Sequence, residues 1–502
     1  MRVIAVVAAV LGLLRLAEGA SVITVDAGRD IATVPRTLFG TNMRPEMEAS
    51  ERTAALLRDI GITVFRYPDA IDQGYRWDWG MGRMVLRGKG FPSWVKPEAC
   101  ALADFRNYLA FARTVGVQTV AVVNVHDGTP EEAAAYVAKA RELGAGITYW
   151  CLGNEPYLKS SPESYIAPED YVTLTQRFVR AMKAVDPAIK VGITWGGQWL
   201  NRTSDPGRDE KVLAGTASVI DFIDHHFYSG RFEKEQGVDP LRIVAGALRV
   251  KQDVEYFREI FRRVAPAQAD RIEIQQWEWS GPPWPEIGGM QRLATAVYGA
   301  DALGEFARQG ITLACQYNFH EHACGLIPAG TDVPWNGKTV RPLAYAIKLW
   351  SRYMGPEMVD SSVAGVDSYT NKDWHTYVNY QGEVPYLATH ATRSEDGKTL
   401  HLMVISRHPS QDYTTTINLR GFTPKPAVTV RTLTGPDFLA HNDYYKEGDW
   451  RSWRTTEDNP PQTCTSTESQ ATLVFTPSAD GVGTMYKVPA HSVVQLVFER
   501  AE

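Results

Sequence analysis

The fold is decided by the stretch Ile147-Thr148-Tyr149-Trp150-Cys151-Leu152-Gly153-Asn154-Glu155-Pro156. Its first six residues are apolar or β-prone, a pattern typical of a buried strand. The run then ends abruptly in Gly-Asn-Glu-Pro, where the proline removes a backbone donor and prevents the strand from continuing. We therefore expect the Glu155 carboxylate to lie at the C-terminal mouth of a buried strand.

A second stretch has the same design, Arg271-Ile272-Glu273-Ile274-Gln275-Gln276-Trp277-Glu278-Trp279-Ser280, and Gly281-Pro282-Pro283 follows it. Glu278 is its terminal carboxylate, and Glu273, at an odd spacing, is predicted on the other face of the strand. Retaining glycoside hydrolysis requires two such carboxylates, because one protonates the leaving oxygen while the other attacks the anomeric carbon. We predict that the Glu155 and Glu278 carboxyl groups lie about 5–5.5 Å apart.

Short β-like runs alternate with helix-like segments through the first two thirds of the chain. The β-like runs are 37–41, 62–67, 118–125, 147–152, 190–195, 219–227, 272–277 and 311–319. The helix-like segments are 49–60, 104–115, 129–144, 170–185, 251–265, 289–309 and 344–353. Eight such units predict an α/β fold of the (β/α)₈ barrel type, whose active sites lie at the C-terminal ends of the strands. A doubly wound open sheet is the alternative, but no glycine-rich phosphate loop follows the first strand.

From about residue 357 the pattern changes to alternating strands separated by turns. The predicted strands there are 400–406, 413–419, 427–433, 471–475 and 493–498. This part of the chain predicts an accessory all-β sandwich. The expected organisation is a signal peptide at 1–19, strands at 20–36 that join the sandwich, a catalytic barrel at 37–356 and the sandwich at 357–502.

Composition narrows the classes of function. The chain has 502 residues, a formal net charge of −6 and a pI near 6.0, so nucleic-acid binding has no support. Residues 1–19 combine Arg2, an apolar run and Ala17-Glu18-Gly19, which predicts a signal peptide and a secreted protein. No other long apolar run predicts a membrane segment.

The five cysteines are odd in number and lack metal-binding spacing. Cys315 and Cys324 are close enough in sequence to pair, and buried free thiols are the alternative.

Several motifs resemble those of α-L-arabinofuranosidases, which belong to a large clan of retaining glycosidases with (β/α)₈ barrels. The resemblance is dense around the run from Val123 to Ala133 and the run from Tyr149 to Glu155. Further similar motifs are Phe65-Arg66-Tyr67-Pro68, Gly74-Tyr75-Arg76-Trp77, His225-His226-Phe227-Tyr228, Leu433-Thr434-Gly435 and Pro489-Ala490-His491-Ser492. The resemblance implies a carbohydrate substrate, no cofactor and hydrolysis by double displacement.

Two motifs depart from that family. Asp69-Ala70-Ile71 stands where the family has Gly-Gly-Asn, and Trp277-Glu278-Trp279-Ser280 is closer to a β-xylosidase-like Glu-Trp-Ser. Because these positions shape the sugar subsite, β-xylosidase, β-glucuronidase and β-galactofuranosidase specificities stay open. A non-catalytic carbohydrate-binding barrel is the alternative from a different class, and the oligomeric state is not predicted.

Each candidate site residue has an expected role. Glu155 is the general acid/base, with its proton held near neutral pH by a desolvated site, and Glu278 is the nucleophile. Glu286, in a loop, is a rival nucleophile. Arg66 holds Glu278 ionised, or forms a structural ion pair. The substrate-binding candidates beside these are Asn154 (the sugar 2-hydroxyl), His226 (sugar or Glu155), Tyr228 (Glu278) and Trp284 (stacking on a sugar ring).

Other polar and aromatic residues are expected in strand-end loops, where any of them could line the subsite. They are Asn42, Asp69, Asp72, Trp195, Asn318 and Glu321. His225 alternates with His226 and is expected to point outward. No His, Cys and Asp cluster has metal spacing, so we predict no catalytic metal. A serine-hydrolase mechanism lacks its Gly-x-Ser-x-Gly elbow.

Overall fold

The computed structural model describes residues 21–69, 100–159, 165–229, 239–282, 291–321, 325–328, 335, 337–372, 380–442, 464–478 and 480–502. Within these ranges, eight short strands form a closed parallel barrel in chain order, and the last strand pairs with the first. The barrel strands are β2 (Gly40–Asn42), β3 (Val64–Tyr67), β4 (Gln118–Val123), β5 (Tyr149–Leu152), β6 (Lys190–Trp195), β7 (Phe222–Tyr228), β8 (Glu273–Ser280) and β9 (Ala314–Gln316). Strand β1 (Ser21–Thr33) precedes them and lies outside the barrel.

Helices connect the barrel strands and pack on the outer face of the barrel. For example, Trp195 of β6 packs against two helical residues, Phe257 and Phe261. The main helices of the described ranges are α1 (Glu51–Ile60), α2 (Phe105–Val115), α3 (Pro130–Glu142), α4 (Pro168–Val185), α5 (Arg208–Thr216), α6 (Pro240–Ala245), α7 (Arg249–Val264), α8 (Leu293–Arg308) and α9 (Pro342–Tyr353). None of these described helices is both long enough and apolar enough to cross a bilayer.

Local sequence signals set the helix ends. Asp104 caps α2 by accepting hydrogen bonds from two backbone N–H groups of its first turn. Thr129 and Glu132 form a reciprocal capping box at α3, and a proline occupies its first position. Gly61 ends α1 with a left-handed φ of 81°, a conformation that glycine adopts without steric cost. These signals explain why the sequence predicts the helices well.

The barrel interior is filled by side chains rather than open. Its apolar layer consists of Val64, Val120, Val122, Cys151, Phe222, Trp277, Leu313 and Cys315. The rings of Phe222 and Trp277 stack with centroids 5.3 Å apart. A Cβ at position 192 would lie 2.3 Å from the Phe222 ring, so the glycine of β6 makes room for this layer. The packed layer supports the polar groups that lie above it at the C-terminal ends of the strands.

The remaining strands build a ten-stranded, mainly antiparallel sheet around a second apolar core. After β1 the strands of this part of the chain are β10 (Glu357–Ala364), β11 (Ser368–Asn371), β12 (Gly382–Pro385), β13 (Leu387–Arg393), β14 (Thr399–Ser406), β15 (Tyr413–Arg420), β16 (Pro424–Thr434), β17 (Thr465–Thr472), β18 (Thr476–Ser478), β19 (Gly481–Val488) and β20 (Ser492–Arg500). Strands β11 and β12 form a separate hairpin. Strand β1 pairs with β10 on one side and with β15 on the other.

The predicted fold class is confirmed, and the doubly wound sheet is wrong because the last barrel strand, β9, pairs with the first, β2. In this part of the chain, strands β10 to β13, β18 and β19 are not among the predicted strands. Their inner positions include Thr392 and Thr484, so simple apolar alternation is broken. The predicted domain limits stay predictions.

A buried cluster of charges joins the barrel to the second sheet. Asp301 of α8 accepts a hydrogen bond from Arg407 and lies 2.8 Å from Nε2 of His390. All three side chains are at most 2% exposed. Burial alone would raise the pKa of Asp301, but the charge of Arg407 and the hydrogen bond with His390 lower it to about 2. The ionised carboxylate therefore stabilises the contact between the two parts.

We predict that Asp301→Asn lowers the free energy of unfolding by about 3 kcal/mol at pH 7, because it leaves the Arg407 charge buried without its counter-charge. The pKa of Asp301 is depressed on folding, so its contribution is present above the ordinary value of 3.8 and is lost as pH falls toward 2. Chemical unfolding of both proteins between pH 7 and pH 3 measures the difference. Asp360→Asn is the control, since its partner Arg29 is 68% exposed and the loss should be under about 1 kcal/mol. Equal losses in the two variants would contradict the role of the buried cluster.

Candidate active site

Glu155 lies in a tight turn just beyond the end of β5. Its backbone φ is 47°, in the left-handed region, and that of Gly153 is 83°. Residues with a Cβ seldom adopt this conformation and keep it only where the surroundings enforce it. The Leu158 N–H closes the turn on the Glu155 carbonyl at 3.1 Å. The Glu155 side chain is 28% exposed, so a substrate can reach its carboxyl group.

A bulge in β8 brings Glu278 into the barrel. Asp224 pairs with Gln275, but His226 pairs with Glu278, so three steps along β8 match two along β7. Glu273 also points inward, since it bonds across the barrel to Tyr149 at the start of β5. The prediction that Glu273 and Glu278 lie on opposite faces is therefore wrong. Simple alternation fails because the bulge adds one residue between them.

Arg66 is the centre of the hydrogen-bond network beneath Glu278. One terminal nitrogen, Nη1, donates to Glu278 Oε1 at 2.7 Å, to Asn42 Oδ1 at 2.8 Å and to Asp69 Oδ1 at 3.1 Å. The other, Nη2, donates to Asn154 Oδ1 at 2.6 Å. The side chain is fully buried, and although burial opposes its charge, Glu278 raises the pKa of Arg66 above its ordinary value. The guanidinium is thus a permanent charge that holds together β2, β8 and the turn after β5.

His226 lies between the two carboxylates. Its Nδ1 is 2.8 Å from Glu155 Oε1 and 3.3 Å from Glu278 Oε2. At least one oxygen of each glutamate lies within 4.8 Å of the other and of the imidazole. Inverting glycosidases keep their carboxyl groups about 6.5–9.5 Å apart to admit a water. The observed separation is that of the retaining arrangement.

A third carboxylate lies below the imidazole. Asp224 Oδ2 is 3.4 Å from Nε2 of His226, and its Oδ1 accepts a hydrogen bond from the Trp277 backbone at 2.8 Å. Burial opposes protonation of His226, but the charges of Glu278 and Asp224 raise its pKa to about 10. Burial would keep Glu155 neutral, yet the hydrogen bond and charge of His226 outweigh it and lower the pKa of Glu155. The pair therefore holds its shared proton on His226 at neutral pH, rather than on Glu155 as expected.

Two tyrosines complete the contacts of the carboxylates. Tyr228 donates to Glu278 Oε2 at 2.8 Å, and Tyr157 donates to Glu155 Oε1 at 3.2 Å. Burial raises the pKa of both phenols well above the ordinary value, so both stay hydrogen-bond donors. The sequence analysis missed Tyr157. The signal that could have indicated Tyr157 is its position two residues after Glu155, in a turn that folds back.

A second charged group next to Arg66 was also missed. Arg44, which follows β2, lies 2.8 Å from Glu46 Oε1 and 3.8 Å from Asp69 Oδ2, and all three side chains are at most 8% exposed. Burial raises the pKa of Asp69 to about 7, against the opposing charge of Arg66. Asp69, at one of the departures from the family motif, therefore lies in a buried cluster of ionisable groups with Arg44 and Glu46, next to Arg66.

The structure brings together Arg66, Asn154, Glu155, His226, Tyr228 and Glu278. Trp195 instead points outward and packs on Phe257 of α7, so it does not line the subsite. His225 also packs on Phe257, as predicted. Asn42 and Asp69 contact Arg66 and lie within the site. Asp72, Trp284, Glu286 and Cys324 lie outside the described residues.

Glu155, His226 and Glu278 also have the spacing of a metal site among the described residues. A histidine binds a metal through a neutral ring nitrogen. The proton held on His226 competes with that use and favours ion pairs with the carboxylates instead. The absence of a catalytic metal stays a prediction.

We predict that His226→Gln destabilises the protein in a pH-dependent way. The pKa of His226 is raised on folding, so its contribution is full below the ordinary value of 6.5 and is lost as pH rises toward 10. The loss should be about 3 kcal/mol at pH 6 and near zero at pH 10, as measured by chemical unfolding. His225→Gln is the matched control, because burial lowers the pKa of His225 to about 4, so its effect should be flat above about pH 7 and change in the opposite sense below it. A pH-independent loss in His226→Gln would refute the charged imidazole.

No protein-family model matches the chain. A relative from Bifidobacterium longum, named exo-α-(1→6)-L-arabinofuranosidase, is 26% identical over 437 residues and covers 77% of this chain and 79% of its own length. One from Streptomyces lividans, named intracellular exo-α-(1→5)-L-arabinofuranosidase, is 22% identical over 360 residues, covering 63% of this chain and 53% of its own length.

Solved structures share the fold over nearly the whole chain. The α-L-arabinofuranosidase of Thermotoga maritima, solved in complex with arabinose, matches with a TM-score of 0.77 at 21% identity, covering 96% of this chain and 100% of that one. The arabinofuranosidase of Xanthomonas axonopodis pv. citri matches with a TM-score of 0.73 at 17% identity and the same coverage. At these identities the likeness concerns the fold.

A closed parallel barrel, two close carboxylates at the C-terminal ends of its strands and these relatives define a retaining glycoside hydrolase of the (β/α)₈ type. Within that class the chain is similar to α-L-arabinofuranosidases, which confirms the resemblance drawn from the motif around Glu155.

The prediction of a secreted protein is contradicted by the relatives. Those from Streptomyces lividans, Bacillus subtilis (strain 168) and Acetivibrio thermocellus, and a second one from Bifidobacterium longum, are named intracellular. The prediction came from residues 1–19, which lie outside the described residues. Its weak point is Arg15, a charge placed directly after the apolar run.

Proposed function

We propose that the protein is a retaining α-L-arabinofuranosidase in which Glu155 is the general acid/base and Glu278 the nucleophile. The observation that carries the proposal is the presence of both carboxylates within 4.8 Å of each other at the open end of the barrel. The names of the relatives support the sugar. We also propose that residues 37–356 form the catalytic domain and that 20–36 join 357–502, a division that the pairing of β1 supports.

In the first step, a Glu278 oxygen attacks the anomeric carbon and forms a glycosyl ester. The bond from that carbon to the leaving oxygen breaks, its electron pair stays on the oxygen, and Glu155 supplies the proton. In the second step Glu155, now ionised, takes a proton from a water that attacks the same carbon and releases Glu278. Two inversions give net retention.

The residues around Glu278 make it a ready nucleophile. Arg66 donates to one oxygen and Tyr228 to the other. Both bonds favour the ionised carboxylate and hold its orientation. When Glu278 becomes an ester, the Arg66 charge stays balanced by Asp69, which lies 3.1 Å from the same nitrogen. We assign Arg66 and Tyr228 to this role.

Asn154 is assigned to the sugar 2-hydroxyl. Its Oδ1 accepts from Arg66, which fixes the amide plane and leaves the Nδ2 group as the donor for a ligand. A contact of this kind can strengthen as the sugar approaches its oxocarbenium-like transition state.

His226 is assigned as the group that controls the protonation of Glu155. Its Nδ1 is 2.8 Å from Glu155 Oε1, and the proton of the pair rests on the imidazole. As the charge of Glu278 disappears into the glycosyl ester, the main cause of the raised His226 pKa is removed. His226 then favours the ionised form of Glu155 less strongly, so Glu155 can hold on its other oxygen the proton that the leaving oxygen needs.

We predict that the protein hydrolyses 4-nitrophenyl α-L-arabinofuranoside faster than the matching β-D-xyloside, β-D-glucoside, β-D-glucuronide and β-D-galactofuranoside. Glu278→Gln should reduce turnover by about 10⁴-fold or more, because the nucleophile is lost. Glu273→Gln is the matched control, since this carboxylate is on the same strand but at the other end of the barrel. Preference for another glycoside would keep the mechanism and change the substrate. A wild-type protein that is silent on the whole panel would refute the proposed function.

We predict further that the first product of hydrolysis keeps the anomeric configuration of the substrate, because the carboxylate spacing leaves no room for a direct water attack. Proton NMR of the reaction, recorded before the free sugar equilibrates, measures the anomer. An inverted first product would rule out Glu278 as nucleophile.

A further inference from the structure

The turn after β5 places two donors on a single oxygen of Glu155. His226 Nδ1 lies 2.8 Å from Oε1, and the Tyr157 hydroxyl donates to the same atom at 3.2 Å. Within the described residues, both contacts of this carboxylate thus fall on Oε1. The second oxygen, Oε2, is the one that a substrate can meet.

Tyr157 is held rigidly where it stands. Its side chain is 6% exposed, and the adjoining backbone is bonded on both sides of it. Pro156 O accepts from the Ile166 N–H at 2.8 Å, and Glu155 O accepts from the Leu158 N–H at 3.1 Å. A donor on so rigid a turn loses little freedom when it bonds the carboxylate.

We propose that Tyr157 is a positioning residue for acid catalysis, which holds Oε1 of Glu155 so that Oε2 carries the proton toward the leaving oxygen. This inference rests on the proposed function. When the proton leaves Oε2 for the glycosidic oxygen, and the electrons of the broken bond stay on that oxygen, Glu155 becomes a carboxylate. The bond from Tyr157 then becomes charge-assisted and stronger. An interaction that strengthens during the step lowers the activation barrier of that step, rather than only tightening substrate binding.

The bond is longer than the one from His226, and catalytic hydrogen bonds are often long before substrate binds. The phenol stays protonated because burial and the nearby carboxylates Glu155 and Glu278 raise its pKa well above the ordinary value. Tyr157 therefore donates at every pH at which the enzyme works.

The test is Tyr157→Phe, assayed as kcat/KM on two glycosides of the sugar that the wild type hydrolyses. One carries 4-nitrophenol, which leaves without a proton, and the other carries benzyl alcohol, which needs one. The variant should lose about tenfold on the benzyl glycoside and less than about twofold on the nitrophenyl glycoside. The control is Tyr171→Phe, which removes a buried hydroxyl that donates to the Leu152 carbonyl of β5. The control should show no difference between the two leaving groups.

Equal losses on both substrates would mean a purely structural role and would overturn the inference, as would no loss on either. Thermal unfolding of each variant verifies that it is folded. A wild-type protein without activity on any glycoside would overturn the proposed function, and this inference with it. If the wild type is active but Tyr157→Phe loses no more activity on the benzyl glycoside than on the nitrophenyl glycoside, this inference alone is overturned.

Discussion

The active end of the barrel depends on one buried cation. The Arg66 guanidinium, with no exposed surface, donates to groups that follow or belong to β2, β5 and β8. A buried charge is tolerated only when its partners surround it, and removing one partner typically costs about 3–5 kcal/mol. The strands that carry Asn42, Asn154 and Glu278 are therefore held in one relative position by the same group that keeps Glu278 ready to react.

The second constraint is that one imidazole proton must balance several close carboxylates. Glu155, Glu278 and Asp224 surround one imidazole, and that imidazole carries the charge that makes three close carboxylates tolerable. A catalytic cycle that converts Glu278 into an ester removes one of those negative charges. The remaining groups then hold the proton less tightly on His226, which couples the formation of the ester to the supply of acid. Tyr157 donates to one oxygen of Glu155, and Tyr228 donates to one oxygen of Glu278.

Arg44, Glu46 and Asp69 form a buried cluster of ionisable groups, and Asp69 is at a place where the sequence departs from the family motif. The side chains of this cluster are buried against the Arg66 network, so their charges act on the subsite at low dielectric. Substrate choice in such a site follows from which sugar hydroxyls complete the hydrogen bonds of these groups.

Sequence patterns alone predict the barrel, the accessory β domain and the positions of Glu155 and Glu278 near strand ends. Local features can be recognised in a single sequence. Examples are the hydrophobic periodicity, the helix cap formed by Thr129 and Glu132, and the end of the strand at Gly-Asn-Glu-Pro. The groups that surround these two glutamates become known only from the folded chain. The bulge in β8 turned Glu278 inward, the barrel closure brought Arg44 and Asp224 to the site, and the turn after β5 folded Tyr157 back onto Glu155. These contacts join residues that are far apart in the chain or depend on one inserted residue. Buried charges pair with groups that are close in the folded chain, and the spacing of residues along the sequence does not predict those pairs.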